Sequence, residues 1–436
     1  MKKRCLTAVL CAFAISATAM AAPSNEELHQ MILDTQKQAI DAKVEAEKES
    51  HIKFSKKTGM PEWKSADDKS SFSIGGRVST DIVFLPEMYK EGKLSKYQDS
   101  QTKNEIRKLY LAVEGQFADV WEYELQFDFA ENAVDVKDAN LTYAGFEDND
   151  ITIGWQKTRY GLESTTSSKY LTYMERGLTD TFSPDRGVGV LWTHKYSMGI
   201  TQLSYLIPNG NEEGDTDFRA DANTVLARGT IAPIYDKKSG QVLHFGLNGG
   251  YYKYNDKTAA LKFSSRPESH LAEKLVAVKF DSPDRDLRYA LETAYASHGF
   301  LFTGEYAAAM VEAGNGEDYT FDAWYLSASY MITGESHKYK KSSGYFKEVT
   351  PDNPVSEGGF GAWEISARYS ALNLTDNDVY GGDLKDITLG LNWYLESNLK
   401  FVLNYVRFDA DNYENSSAYV SSQDGSIVQA RLQFYF

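Results

Sequence analysis

The feature that most constrains this chain is a recurring segment of about ten residues with a large apolar group at every second position and charge between. In residues 121–130, WEYELQFDFA, an extended backbone puts Trp121, Tyr123, Leu125, Phe127 and Phe129 on one side. Glu122, Glu124, Gln126 and Asp128 fall on the other. A soluble sandwich strand shows the same alternation, with its apolar face in a dry core. Length separates the two readings. Soluble strands run to about five or six residues, whereas a tilted membrane strand needs about nine to eleven.

The pattern repeats to the end of the chain. FSIGGRVSTDIVF sets Phe72, Ile74, Val78, Ile82 and Phe84 against Arg77 and Asp81, and EIRKLYLAVEGQF sets Leu109, Leu111 and Val113 against Lys108, Tyr110 and Glu114. AWEISARYS, DITLGLNWYL and VQARLQFYF do the same. Strands are expected near 72–84, 104–117, 120–130, 135–146, 150–158, 187–195, 198–207, 223–234, 241–254, 285–297, 299–311, 319–332, 360–371, 384–396, 398–409 and 426–436, sixteen in all. Lipid cannot satisfy the hydrogen bonds of an open sheet edge, so the sheet must close. The expected fold is all-β, a transmembrane antiparallel β-barrel of 16 strands, with an oily exterior and a charged, wet lumen. Tight turns are expected at Ala118-Asp119, Tyr196-Ser197, Ser297-His298 and Glu396-Ser397 on the periplasmic side, and residues 255–284 become a long outer loop. One connection resists this scheme, because 333–359 is very long for a periplasmic turn.

The beginning of the chain, MKKRCLTAVLCAFAISATAMAAP, reads as a signal peptide over residues 1–21. Both cysteines, Cys5 and Cys11, lie within it, so no disulfide is expected in the mature chain. Residues 22–71 read as a polar helical segment and linker facing the periplasm, with NEELHQMILDTQKQAIDAKVEAEKE as the helix and 72–436 as the barrel. Removing Lys2, Lys3 and Arg4 takes the formal net charge from -16 to -19, which argues against nucleic acid as a partner. The 29 tyrosines, 22 phenylalanines and 7 tryptophans suit aromatic girdles at the two membrane interfaces.

Several stretches resemble the phosphate-selective porin O and P family: GLESTTSSKYLTYMERGL followed by FSPDRGVGV, then RPESHLAEKLV, SYMITGESHKYKKSSGYF, GAWEISARYSALNL and LGLNWYLESNLKFVLNYV. The matches keep their order across roughly residues 72–436. The resemblance implies a homotrimer of 16-stranded outer-membrane barrels passing small hydrophilic solutes, anions such as phosphate in particular. It also implies that two outer loops and one periplasmic segment pack into the lumen, which gives 333–359 a place and makes 159–186 and 255–284 constriction elements. Ser164 departs from the family pattern, standing where phosphate-specific members carry lysine.

Family members that favour phosphate use lumen-facing arginines and lysines, since an anion that sheds water needs charge-assisted hydrogen bonds in return. By alternation Arg77, Lys108, Arg228, Arg288, Arg368 and Arg431 face the lumen, and Tyr110 shares the face of Lys108. Lys157, Arg159 and Lys169 fall in the motif-bearing loop, although alternation turns Lys157 toward lipid unless its strand has ended. The candidate pore-lining set is therefore Arg77, Lys108, Tyr110, Lys157, Arg159, Lys169, Arg228, Arg288 and Arg368. Asp81, Glu114, Glu122, Glu124, Asp128, Glu292, Glu305 and Glu364 also point inward, which keeps a general or cation-tolerant pore open as the alternative. His194, His244, His270, His298 and His337 are scattered, without nucleophile or metal-ligand spacing, so no catalytic residue, metal or cofactor is expected. An outer-membrane enzyme and a barrel that tethers the envelope are the rivals from other classes. Acidic outer loops such as NEEGDTDFRAD and DADNYEN read first as solvated tips, and alternatively as sites that recruit divalent cations bridging lipopolysaccharide.

Overall fold

The computed structural model describes residues 25–46, 51–54, 61–86, 89–90, 100–130, 134–208, 222–254, 260–413 and 420–436. The expected signal peptide lies outside the described residues, as does the NEEGDTDFRAD loop. The N-terminal segment contains one helix, Asn25–Ala46. Its Met31, Ile32 and Leu33 are exposed, and Thr35 Oγ1 donates back to the Met31 carbonyl.

Sixteen long antiparallel strands form the barrel. In chain order they are β1 (Ser71–Leu85), β2 (Gln101–Phe117), β3 (Trp121–Asp128), β4 (Asp135–Phe146), β5 (Asn149–Lys157), β6 (Arg186–Tyr196), β7 (Gly199–Pro208) and β8 (Ala222–Asp236). Then come β9 (Gln241–Tyr254), β10 (Arg285–Ser297), β11 (Phe300–Glu312), β12 (Asp318–Met331), β13 (Ala362–Asp376), β14 (Val379–Glu396), β15 (Leu399–Tyr413) and β16 (Val420–Tyr435). Each pairs with its neighbour in sequence, and β16 returns to β1 in a register running from Val428↔Phe84 to Tyr435↔Arg77. Two 3.0 Å backbone hydrogen bonds between Gly76 and Phe436 extend that seam. The closed ladder leaves no edge to satisfy in lipid.

Tight turns occur at all four expected places, three of them one residue later than expected, at Ser197-Met198, His298-Gly299 and Ser397-Asn398. Ala118 and Asp119 have φ of 53° and 65°, and His298 and Gly299 have φ of 50° and 80°. His298-Gly299 is the two-residue loop between Ser297 and Phe300, where positive φ at both residues matches the twist of the strands, whereas Ala118–Val120 is a three-residue connection between Phe117 and Trp121. One expected loop is absent: residues 372–383 form a hairpin tip, with β13 reaching Asp376 and β14 starting at Val379. Asn377 accepts φ of 51° and closes the turn.

The two faces of the wall divide as alternation requires. Leu125, Leu247, Leu326, Leu389 and Leu432 are exposed on the outside. Aromatic pairs gather near the short turns, among them Phe117 with Trp121, Phe300 with Tyr330, and Trp363 stacked on Trp393 at 5.2 Å. This is the placement of an interfacial girdle.

The lumen holds one surprise, an apolar interior core toward the long-loop end. Inward-facing Leu206, Leu226, Phe321, Leu374, Phe408 and Ile427 are fully buried against Phe263, Val278 and Phe280 of the 255–284 loop and Phe182 of the 158–185 loop. Phe182 meets Phe263 edge-on at 5.1 Å, and Phe280 lies 5.9 Å from Phe321. Burying each such ring is worth about 1.5–3 kcal/mol, enough in sum to hold a loop inside a wet barrel. The hairpin Ala260–Ser265/Val276–Asp281 gives that loop its own ladder.

Candidate functional site

A loop drawn into the lumen carries backbone groups that need partners, and the wall supplies them. In the 158–185 loop, Gly161 N–H donates to Asn248 Oδ1 at 3.0 Å, and Leu162 and Glu163 N–H donate to Glu305 at 2.5 and 3.1 Å. Gly161 has φ of 75°, and a Cβ there would stand 2.9 Å from Glu305 Oε1. Further along, Lys400 Nζ donates to the Leu171 carbonyl at 2.7 Å, Asn392 to Thr172 at 2.8 Å, and Gln433 to Lys169 at 3.0 Å. Met174 N–H donates to Asn404 at 2.9 Å. The loop is bolted to opposite sides of the barrel.

Three of the nine candidate residues serve this bolting. Arg368 donates to Glu268 at 3.1 and 2.5 Å, to Glu163 at 3.0 and 3.2 Å, and to the Glu175 carbonyl, joining both loops to β13. Arg288 pairs with Asp286 at 2.9 and 2.8 Å and donates to the Phe182 carbonyl at 3.1 Å. Arg228 is fully buried, bidentate on Glu292 at 2.8 Å, and donates to the Ser343 and Gly344 carbonyls of the 332–361 connection. His244, between Tyr339 and Glu292, and His337 on Glu364 hold the same connection inside the barrel. Arg228, Arg288 and Arg368 thus face inward, as alternation requires, but loops cover them and carboxylates neutralise them.

The other six line a cavity of about 550 Å³ between β1–β6, the 158–185 loop and the 332–361 connection. Arg77 donates to Ser168 Oγ at 3.0 Å, with its guanidinium carbon 4.4 Å from the Tyr110 ring centre. Lys108 Nζ lies 5.6 Å from the same ring and 3.9 Å from Asp128. Lys169 sits 5.2 Å from the Tyr170 and Tyr435 rings. Lys157 ends β5, so it escapes alternation and reaches the Ser164 carbonyl. Arg159 makes no hydrogen bond or ion pair with another described residue. Twelve Lys and Arg line this cavity against six Asp and Glu, a formal excess of six in a chain whose net charge is -16.

Two lining cations, Arg107 and Lys137, escape strict alternation. The β1–β2 register shifts between Ser79↔Lys108 and Thr80↔Ile106, leaving Arg107 as an extra residue. The β3–β4 register shifts between Gln126↔Asp138 and Phe127↔Val136, leaving Lys137 extra. Each β-bulge puts two consecutive polar side chains on the lumen side, Arg107 with Lys108 and Lys137 with Asp138. Sequence carries the signal: outward apolar residues fall three apart, Ile106 to Leu109 and Val136 to Ala139, where unbroken alternation demands an even spacing.

Loop carboxylates balance part of this charge. Burial opposes ionisation of Glu175 most strongly, but Arg107 and Arg431 outweigh it and hold the carboxyl well below the usual range. At Asp185 burial is likewise overcome, here by Arg186, Lys137 and Lys157. Both stay charged and organise the cations around them.

Residues 72–436 match the family described as phosphate-selective porin O and P. The chain belongs to that family. This porin is 26% identical over 427 residues to Porin O of Pseudomonas aeruginosa, covering 87% of this chain and 92% of the relative. It is 28% identical over 363 residues to an uncharacterized protein of Caulobacter vibrioides, covering 80% and 71%. Among solved structures it resembles OmpT of Vibrio cholerae (15% identity, TM-score 0.51, covering 85% and 98%) and the anion-selective porin from Comamonas acidovorans (13%, 0.51, 84% and 100%). Those two likenesses show the barrel fold. The porin is an outer-membrane protein that passes solutes through its lumen.

Proposed function

We propose that this porin conducts small hydrophilic anions, phosphate among them, by passive diffusion. The observation that carries the reading is the excess of six cations along the passage. In a narrow, low-dielectric passage such an excess concentrates counter-ions and raises their entry rate. Arg77, Lys108, Lys157, Arg159 and Lys169, with the Tyr110 ring, present a series of modest contacts, and weak successive sites permit release as well as entry. The anion-selective Comamonas acidovorans porin and the family description point the same way.

Catalysis has no part in this reading. Four histidines serve the frame: His244 and His337 hold the inner connection, His270 pairs with Glu105 at 2.8 Å, and His194 binds Asn149 at 3.1 Å. The assembly we propose is a homotrimer. Strands β3 and β5 have 8 and 9 residues, at or below the roughly 9–11 that span a bilayer, so that short wall gains from cover by a second copy. Outer loops meet the lipopolysaccharide layer. Liposome swelling tests conduction: gluconate should enter faster than glucosamine of similar size, and the reverse order would exclude an anion pathway.

A further inference from the structure

The cavity differs in two respects from one shaped to a bare inorganic anion. Its 550 Å³ lies within the roughly 300–1,000 Å³ of sites that enclose organic molecules. Its surface is also unevenly divided. On the β1–β2 side, Arg77 Nε and Ser79 Oγ are buried and have no hydrogen-bond partner, and Thr165 Oγ1 of the facing loop is buried and unpartnered as well. Ser79 stands opposite Lys108 in the ladder. Buried polar atoms cost free energy when unpaired, so these lining groups are donors available to an anionic head. Beyond it the lining turns to tyrosine faces, Tyr110, Tyr170 and Tyr345, interspersed with Glu114, Glu124 and Asp138. Asp138 is paired with Arg186 at 3.3 Å, so Glu114 and Glu124 are the carboxylates that disfavour a second negative charge beside them, while the rings offer contact area to an uncharged body.

We propose that the passage selects organic anions with one charged head and an uncharged, ring-sized body over orthophosphate alone. The head is a carboxylate or a phosphate monoester held by Arg77, Ser79, Lys108 and Thr165. The body lies against Tyr110, whose ring Arg77 already covers at 4.4 Å, in the arrangement by which guanidinium and aromatic planes stack. This inference rests on the anion-conducting reading and adds a solute class to it.

Phenyl phosphate and orthophosphate share a head and differ only in the body, and pyrophosphate doubles the head without a body. In planar bilayers containing the purified full-length protein, block of chloride current is titrated with each. Phenyl phosphate should give half-block at a concentration at least about tenfold below that of orthophosphate, with pyrophosphate no tighter than orthophosphate. Tyr110→Ala should abolish the phenyl phosphate advantage, and Tyr110→Phe should keep it. Equal or weaker block by phenyl phosphate, or tightest block by pyrophosphate, overturns the proposal. A channel in which chloride carries no current fails the anion reading first, so the two failures are distinct.

Discussion

Arg107 holds Glu175 in a bidentate ion pair, with both N···O distances 3.1 Å, from a position that strict alternation would turn toward lipid. A β-bulge makes that pair possible, and Arg431 completes it from the neighbouring side at 2.7 Å. The middle of the 158–185 loop is thereby fixed against β2 and β16. Arg107→Ala should weaken this anchor by about 1–3 kcal/mol, less than for a sealed pair because water reaches both side chains. Single-channel recordings should show added flicker and a larger mean conductance. A variant with unchanged noise and conductance would show that the pair does not position the loop.

The sealed and the open cations should separate cleanly in mutagenesis. Arg228 is fully buried on Glu292, so Arg228→Ala strands a charge and should cost about 3–5 kcal/mol, seen as a lower midpoint in thermal unfolding in detergent. Arg159→Ala removes no ion pair and should leave the midpoint within about 1 °C, while lowering anion preference. The opposite assignment of the two effects would contradict the division drawn between them.

That division marks the limit of what alternation reveals. Period two predicts which face Arg228, Arg288 and Arg368 take, because a β-strand offers only two. It is silent on which inward residues a loop will later cover, since Glu163, Glu268 and the Ser343 and Gly344 carbonyls come from distant segments. Strands, closure and tight turns were legible because lipid imposes a strong local pattern. Arg107 and Lys137 were hidden by their bulges, although the broken apolar spacing beside each was visible. The interior core around Phe182 and Phe321 was hidden because inward apolar residues contradict a wet lumen unless the folded loop is known.

Phe182 tests that core. Phe182→Ala removes a fully buried ring that meets Phe263 at 5.1 Å and should cost about 3–5 kcal/mol. The barrel ladder does not depend on this ring, so the loss should appear in the loops. Limited proteolysis from the outer face should cut the 158–185 or 255–284 loop in the variant and spare the wild type. Equal resistance would mean that polar bolts alone retain the loops.

The loop carboxylates set a pH window. Glu175 and Asp185 are depressed in the folded protein, so their ion pairs contribute fully above the ordinary carboxylate range of roughly pH 4. That contribution is lost only as pH falls through the lowered values. The flicker that comes from losing these two carboxylates' ion pairs should appear only below about pH 4. Noise that does not rise below about pH 4 while the barrel remains folded would show that these pairs do not position the loop.

The central claim is that the cations which the folded loops leave uncovered govern what crosses the lumen. Its most direct test is the zero-current potential of the purified protein in a planar bilayer under a tenfold potassium chloride gradient. The account predicts a potential of the sign set by chloride, shrinking stepwise as Arg77, Lys108 and Arg159 are neutralised in turn. A potential of the sign set by potassium, unmoved by those substitutions, would contradict it.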